Sequence, residues 1–164
     1  EINKKYPDFA TSKLKIEESE IERETNLIEE TELALRDLIR SKLTEKYGDG
    51  WWRQGVPGGV KEDINRRIQE ETKIAPWKRN DLESNIEIRL NFSDISHLWE
   101  IIKYGNNWGA FESTFGDKER VKTHLDGFRK YRNVLQHFRE HTDEVIERIG
   151  YDSVLWLRKC IGMD

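Results

Sequence analysis

Residues 118–140 read KERVKTHLDGFRKYRNVLQHFRE, and their spacing decides the fold prediction. Apolar and aromatic residues recur there every three or four positions, at Val121, Leu125, Phe128, Tyr131, Leu135 and Phe138. This spacing places them on one face of a helix and leaves the charged residues on the other face. Asp117 precedes the stretch and can accept hydrogen bonds from the first free backbone amides. We therefore predict a long helix that begins after Asp117 and packs on a core.

The rest of the chain shows a similar helical pattern. The run from Asp8 to Tyr47 has no proline or glycine, which predicts a long N-terminal helix whose second half packs on the core. Further helices are predicted over Val60–Ile74 with Ile64, Ile68 and Ile74 inward, and after Ser93, where an apolar face that ends at Gly105 is formed by Ile95, Leu98, Trp99, Ile101 and Ile102. A short helix or turn is predicted at Trp108, Phe111 and Phe115. The last helix is predicted from Thr142 onward, with inward residues Val145, Ile146, Ile149, Val154, Leu155, Leu157 and Ile161. The predicted fold class is all-α, a helical bundle with a long N-terminal helix.

The connections between these helices carry expectations of their own. Residues 47–59 contain five glycines and a proline, which predicts a loop that Trp51 and Trp52 anchor to the core. The loop lacks the residue order of a nucleotide-binding loop and no strand precedes it. In Ile86–Leu90 apolar and charged residues alternate as they would in a strand, but the sequence shows no second strand to pair with it. We therefore interpret this segment as an extended connector. Ser93 is placed to cap the helix that follows.

Composition excludes several classes of protein. The 164 residues are 37% charged and 35% hydrophobic, yet six Trp, six Phe and five Tyr supply large side chains that disordered sequences lack. The longest apolar runs reach about four residues, far short of a membrane span. The single cysteine, Cys160, excludes an intrachain disulfide and suits a reducing cytoplasm, and we predict that it is a small buried hydrophobe.

Domain organisation and charge are both uneven along the chain. Because it opens on Glu1 and shows no signal-peptide pattern, we expect it to be part of a longer protein, with residues 1–25 a helical extension or linker and residues 26–164 the domain. Residues 117–139 hold seven Lys or Arg and three Asp or Glu, a local balance of +4 in a chain of net charge −4. This basic segment should attract a polyanion.

The basic segment contains the sequence RNVLQH at residues 132–137. On an unbroken helix Asn133 and His137 are one turn apart, so the amide can hold one imidazole nitrogen. Arg132 and His137 diverge by about 140°, so they meet at one phosphate only if the helix distorts or a second subunit contributes. From the residues alone, Arg132 can equally be a salt-bridge partner and His137 a hydrogen-bonded interface histidine.

The motif resembles the signature of the HEPN superfamily, in which an arginine and a polar residue precede a histidine by a short interval. The resemblance extends upstream through Leu90, Phe92, Ser93, Asp94, Leu98, Ile101 and Ile102, then Trp108, Phe111 and Phe115, then Phe128. That order is similar to the subtype found in a eukaryotic messenger-RNA quality-control endoribonuclease and in bacterial multidomain defence proteins. It covers roughly residues 30–162.

The resemblance implies a homodimeric endoribonuclease that needs no metal and no cofactor. His137 would act as a general base on the ribose 2′-OH or as a general acid on the leaving 5′-oxygen. Arg132 would neutralise charge on the phosphoryl oxygens, and Asn133 would orient His137 or bind phosphate. The expected setting is a cytoplasmic effector of antiviral defence or RNA surveillance, with RNA and other domains of a longer chain as partners and no membrane.

Alternatives remain beside this interpretation. The domain could be a catalytically silent HEPN-like module for dimerisation or partner docking, or it could bind a nucleotide without cleaving it. His137 and His141 are one turn apart and could hold a metal, but no third ligand is evident, so we predict none. His97 and His124 are predicted to be structural or surface residues.

Contacts with the RNA backbone are predicted for five basic residues: Arg120, Lys122, Arg129, Lys130 and Arg139. For each of them an ordinary solvated helix face is the alternative.

Overall fold

The computed structural model describes the backbone of residues 7–136 and 144–163, and the side chains of these residues from Ser19 onward. Its α-helices are α1 (Pro7–Tyr47), α2 (Trp51–Gly55), α3 (Gly58–Ile74), α4 (Arg79–Ser84), α5 (Ile95–Lys103), α6 (Trp108–Phe115), α7 (Lys118–Gln136) and α8 (Glu144–Cys160). Short 3-10 helices lie at Gly48–Gly50, Pro76–Lys78 and Ile86–Phe92. No strand occurs within the two described ranges, which confirms the all-α prediction and the long N-terminal helix.

One hydrophobic core joins these helices. Its most deeply buried residues are Leu35, Ile39 and Leu43 of α1, Ile64 of α3, Leu98, Ile101 and Ile102 of α5, Phe111 of α6, Val121 and Phe128 of α7, and Val154 and Leu157 of α8. Burying a side chain of this size stabilises the fold by about 1.5–3 kcal/mol relative to leaving it exposed. Trp51 and Trp52 are buried as predicted, although they lie in the short helix α2 rather than in a loop.

Two glycines let α7 and α8 pack closely against each other. A Cβ atom on Gly127 would lie 2.5 Å from Ser153 Oγ, and one on Gly150 would lie 2.2 Å from Tyr131 Cβ. Both distances are shorter than van der Waals contact. Ser153 Oγ can rotate away from the methyl group of Gly127→Ala, but Tyr131 Cβ cannot, so Gly150→Ala would force the helices apart. The crossing therefore fixes the C-terminal half of α7, which carries the predicted motif.

The start of α7 agrees with the sequence, and its predicted end is not tested. Asp117 Oδ1 accepts a hydrogen bond from the Arg120 amide at 3.0 Å, as an N-cap should. The predicted inward residues Val121, Leu125, Phe128 and Tyr131 are buried, and Leu135 is half-buried. Phe138 and Thr142 lie outside the described residues, so the predicted helix end at residue 140 and the start at Thr142 stay predictions.

Two connecting segments differ from their predictions. Ile86–Leu90 is not extended but belongs to the 3-10 helix Ile86–Phe92, in which Leu90 is buried. With no strand beside it in the described chain, this segment satisfies its backbone hydrogen bonds locally. Ser93 is not the cap of α5 because the next residue, Asp94, takes that position: its carboxylate accepts from the His97 amide at 3.1 Å.

Some predicted inward positions are exposed. Ile74 is 78% exposed because it is the last residue of α3, where the helix leaves the core. On α8, the face that contacts the core is formed by Gly150, Val154 and Leu157. With 3.6 residues per turn, other faces of the helix carry Val145, Ile149 and Leu155, and all three side chains are exposed. Cys160 is half-buried rather than fully buried, and this burial raises the pKa of its thiol.

A polar cluster holds α3 against the start of α5. His97 Nδ1 accepts from the Asp94 amide at 3.1 Å, so its Nε2 carries the hydrogen directed at Asp63 Oδ2, 3.0 Å away. Arg67 of α3 donates to Asp94 Oδ2 at 2.9 Å and to the Phe92 carbonyl at 2.8 Å. These contacts give His97 a structural role, as predicted.

We predict that Asp94→Ala lowers the free energy of unfolding by about 1–2 kcal/mol near neutral pH, because it removes the cap of α5 and the partner of Arg67. Burial raises the pKa of Asp94, but the hydrogen bonds from Arg67 and the His97 amide outweigh it and hold the pKa below 3.8. The charge therefore stabilises the fold above the ordinary pKa, and that contribution is lost as the pH falls through the lowered value. Urea unfolding over a range of pH measures both effects.

The matched control for this prediction is Asp94→Asn, which keeps the capping acceptor and loses only the charge. It should cost less than Asp94→Ala near neutral pH, and its difference from the wild type should disappear in acid. A difference between Asp94→Asn and wild type that does not change with pH would contradict the role of the charge.

Candidate active site

The described end of α7 carries two of the three motif residues. Arg132 is half-buried and Asn133 is exposed in the last described turn of the helix. His137, Arg139 and His141 lie outside the described residues. The predicted contact between Asn133 and His137, the metal alternative and the RNA contact of Arg139 therefore stay predictions.

A buried carboxylate from α1 holds the guanidinium of Arg132. Arg132 Nε forms an ion pair with Glu32 Oε1, and Glu32 Oε2 accepts from Arg36 Nη2 at 3.3 Å. Glu32 is only 4% exposed. A carboxylate removed from water to this extent must be paired to remain charged, and here two arginines pair with it.

Arg36 extends this pairing to the segment that precedes α5. Its Nη2 donates to the Ser93 carbonyl at 2.7 Å and its Nε to Ser93 Oγ at 3.3 Å. Burial lowers the pKa of Arg36 and the nearby charge of Arg132 lowers it further, while Glu32 opposes both. Ser93 thus anchors a buried arginine instead of capping a helix.

Arg132 separates two cavities. One, of about 250 Å³, lies between α5 and α7 and is lined by Asp94, Ile95, Ser96, Arg129, Arg132 and Asn133. The other, of about 180 Å³, lies between α1 and α7 and is lined by Thr25, Ile28, Glu29, Arg132, Leu135 and Gln136. Each has room for a phosphate group beside the guanidinium, and each also has a carboxylate in its wall, Asp94 or Glu29, with which a bound phosphate would compete.

The predicted RNA-contact residues are only partly brought to this site. Arg129 lines the cavity shared with Asn133, and Lys122 lines a neighbouring cavity on the same side of α7. Arg129 and Lys130 both bind Asp126, at 2.9 and 3.0 Å, and their hydrogen bonds lower the pKa of that carboxyl. A phosphate would have to compete with Asp126 for both cations.

Arg120 lies apart from this site, over an aromatic surface on α8. Its guanidinium is 5.3 Å from the ring centroid of Trp156, and His124 stacks on the same ring at 4.3 Å. His124 Nδ1 also lies 3.1 Å from Ser153 Oγ, and burial lowers the pKa of its imidazole, followed by the charge of Arg120. His124 therefore helps to pack α7 on α8, in agreement with its predicted structural role.

Sequence reasoning missed Glu32, which holds Arg132, and Arg36, which binds the same carboxylate. A signal for them is present: they are four positions apart and fall on the same face of α1 as the buried Leu35 and Ile39. A charged pair inside an apolar stripe predicts a buried ion pair or a functional site.

No protein-family model, curated protein or solved structure matches this chain. The interpretation of the site therefore depends on the motif and on the contacts given above. Over residues 7–136 and 144–163, no group of three or more His, Cys, Asp or Glu side chains is placed to hold a metal ion. No helix within those ranges has the length and apolarity to cross a membrane.

We predict that Glu32→Gln lowers the free energy of unfolding by about 3 kcal/mol, because two neighbouring arginines lose the anion between them and one is buried. Guanidinium-induced unfolding followed by circular dichroism measures the change. The matched control is Glu22→Gln, an exposed carboxylate of the same helix, which should change stability by less than about 0.5 kcal/mol. A Glu32→Gln variant as stable as the control would contradict this role of the carboxylate.

Proposed function

We propose that this chain is a HEPN-type endoribonuclease domain that cleaves RNA without a metal ion, as an effector in antiviral defence or RNA surveillance. The observation that supports it is the arrangement of Arg132, whose Nε is held by buried Glu32 while its side chain lines two cavities. A cation fixed in this way needs no rearrangement when negative charge builds up on a phosphate. Such preorganisation is a major source of catalytic rate enhancement.

In the proposed reaction the ribose 2′-oxygen attacks the adjacent phosphorus and the bond from phosphorus to the 5′-oxygen breaks. The single His137 of a site takes the 2′-OH proton as a general base or, as imidazolium, gives a proton to the leaving 5′-oxygen as a general acid, and water exchanges the other proton. Arg132 stabilises the charge on the phosphoryl oxygens, and Asn133 orients His137 or binds phosphate. The products carry a 2′,3′-cyclic phosphate and a 5′-hydroxyl. The nucleophile belongs to the substrate, so the mechanism needs no metal-bound water.

The proposed active species is a homodimer. α7 is a regular helix through Gln136, and on a regular helix Arg132 and His137 point about 140° apart. Two copies of the chain can solve this problem if each supplies the histidine that faces the arginine of the other. The symmetric arrangement then contains two equivalent composite sites.

We predict that the protein sediments as a dimer at micromolar concentration and that inactive variants complement each other. A mixture of Arg132→Ala and His137→Ala chains forms heterodimers in which one composite site is intact and the other lacks both groups. Equal mixing should restore about a quarter of wild-type cleavage, since half of the dimers are mixed and each has one working site. Cleavage by a stable monomer, or a mixed dimer without activity, would contradict the composite site.

We predict that the purified protein cuts single-stranded RNA in the presence of EDTA and leaves DNA intact, because DNA lacks the attacking 2′-OH. His137→Ala and Arg132→Ala should each lower the cleavage rate by roughly 10²–10⁴-fold. The double variant should lose far less than the product, because groups that act together fail together. Gel analysis of end-labelled RNA measures the rate and identifies the cyclic phosphate.

The matched control for cleavage is Arg53→Ala, which removes an exposed arginine on α2 and should leave the rate unchanged.

Arg120→Ala should mainly weaken RNA binding and reduce its salt dependence. Activity that EDTA abolishes and zinc restores would instead favour the pair His137 and His141 as metal ligands.

A second candidate function is a silent docking or nucleotide-binding domain, and the pairing of Arg132 with Glu32 is the observation that favours it. In that case Arg132 is a structural residue. Arg132→Ala would then reduce stability or dimerisation, and the wild-type protein would cut no RNA. Loss of Arg132 leaves the buried Glu32 with one partner fewer under either function, so RNA cleavage by the wild-type protein is the measurement that distinguishes the two.

A further inference from the structure

A groove runs between α5 and α7 and ends at the proposed active site. A cavity of about 520 Å³ lies between the two helices. It shares Ile95, Ser96 and Arg129 with the cavity of about 250 Å³ that reaches Arg132 and Asn133. The two cavities are therefore adjacent along α5 and α7, and together we call them the α5–α7 groove.

Trp99 of α5 lies in the part of the groove farther from Arg132. It is half-buried and packs partly on the core. Lys103 Nζ lies 6.0 Å from the centroid of its ring, the outer limit of a cation–π contact, and a side chain this flexible can move aside. Leu125, which lines the same part, precedes Arg132 by seven residues, or about 10 Å along a helix. Ser96 lines both cavities and precedes Trp99 by about one helical turn, so a base on Trp99 and a phosphate at Arg132 would occupy adjacent cavities.

The charges of the groove favour a neutral ligand over a row of phosphates. Two cations, Lys122 and Arg129, line the larger cavity together with three carboxylates, Glu100, Glu119 and Asp126. Arg129 is already paired with Asp126 at 2.9 Å. Lys103 pairs with Glu100 at 3.1 Å and Lys130 with Asp126 at 3.0 Å, so cations and carboxylates nearly balance here and a phosphate chain would have to compete with the carboxylates. A nucleobase is neutral and presents both donors and acceptors, which matches this mixed lining.

We propose that the α5–α7 groove binds the nucleobase adjacent to the scissile phosphate, with Trp99 stacking on that base. The assignment rests on the proposed function, because it takes Arg132 as the phosphate-binding end of the groove. The volume of the larger cavity, about 520 Å³, agrees with this assignment, since sites for small ligands typically span about 300–1,000 Å³.

Binding of a short single-stranded oligonucleotide that cannot be cut tests this proposal separately from catalysis. A fluorescent 2′-deoxy oligoadenylate lacks the attacking hydroxyl, so anisotropy reports its affinity for the full chain without cleavage. Trp99→Leu should weaken binding by between about 5-fold and 150-fold, the value of one stacked base. Trp77→Leu removes a tryptophan that is 79% exposed and lies outside the groove, and it should bind as the wild type does.

Removal of single bases links the loss to one stacking contact. An abasic site at one position of the oligonucleotide should reproduce the loss in wild type and should cause no further loss in Trp99→Leu. Because Trp99 also packs on the core, Ser96→Phe provides a second variant: Ser96 is exposed within the groove, and a phenyl ring there should block the base while the fold is retained.

The outcomes separate the groove from the catalytic proposal. The assignment of the groove is overturned if Trp99→Leu and Ser96→Phe both bind the oligonucleotide with wild-type affinity, or if no abasic site has an effect. RNA cleavage by the wild type would then still support the proposed nuclease. Stacking that couples to Trp99 in a protein that cuts no RNA would overturn the nuclease and, with it, the scissile phosphate of the proposal, and would leave the α5–α7 groove as a nucleobase site only. Failure of the wild type to bind the oligonucleotide overturns the groove.

Discussion

The carboxylate of Glu32 is the interaction on which the arrangement of the site depends. It is buried in α1, and its two oxygens contact Arg36 and Arg132. Arg36 in turn donates to Ser93 just before α5. Taking a carboxylate out of water is costly, so its burial is favourable only when both arginines are in place. The packing of α1, α7 and the start of α5 is thereby coupled, and the core rather than the surface determines where Arg132 lies.

Where it faces α8, α7 is fixed by shape instead of charge. Tyr131, the residue before Arg132, packs where Gly150 lacks a side chain, and Gly127 similarly accommodates Ser153. The helix is therefore constrained by an ion pair towards α1 and by close backbone approach towards α8. Two independent constraints of this kind limit rotation of α7 about its axis, which is what preorganisation of Arg132 requires.

Periodicity in the sequence was sufficient to predict α1, α5 and the start of α7, because amphipathic patterns are local properties, whereas at α6 it left a helix and a turn open. Ile86–Phe92 was predicted wrongly, since alternation over a few residues cannot distinguish a strand from a 3-10 helix that buries one leucine. The cap of α5 was misplaced by one residue because Ser93 and Asp94 both suit that position, and the packing of Arg36 decides between them. Arg132 and Asn133 could be found from a local motif, whereas the α5–α7 groove and Glu32 arise from contacts between helices distant in sequence.

The same contacts that order the basic segment also neutralise much of it. The formal balance of +4 already counts Asp126, which pairs with Arg129 and Lys130. Arg132 is also paired with Glu32, which lies outside that segment, so +4 overstates the field that an approaching RNA would meet. Salt-dependent attraction of phosphates should therefore provide only part of the affinity. If this site cleaves RNA, the remaining affinity must come from contacts that do not depend on charge, and an aromatic ring beside the phosphate site is the kind of group that supplies them.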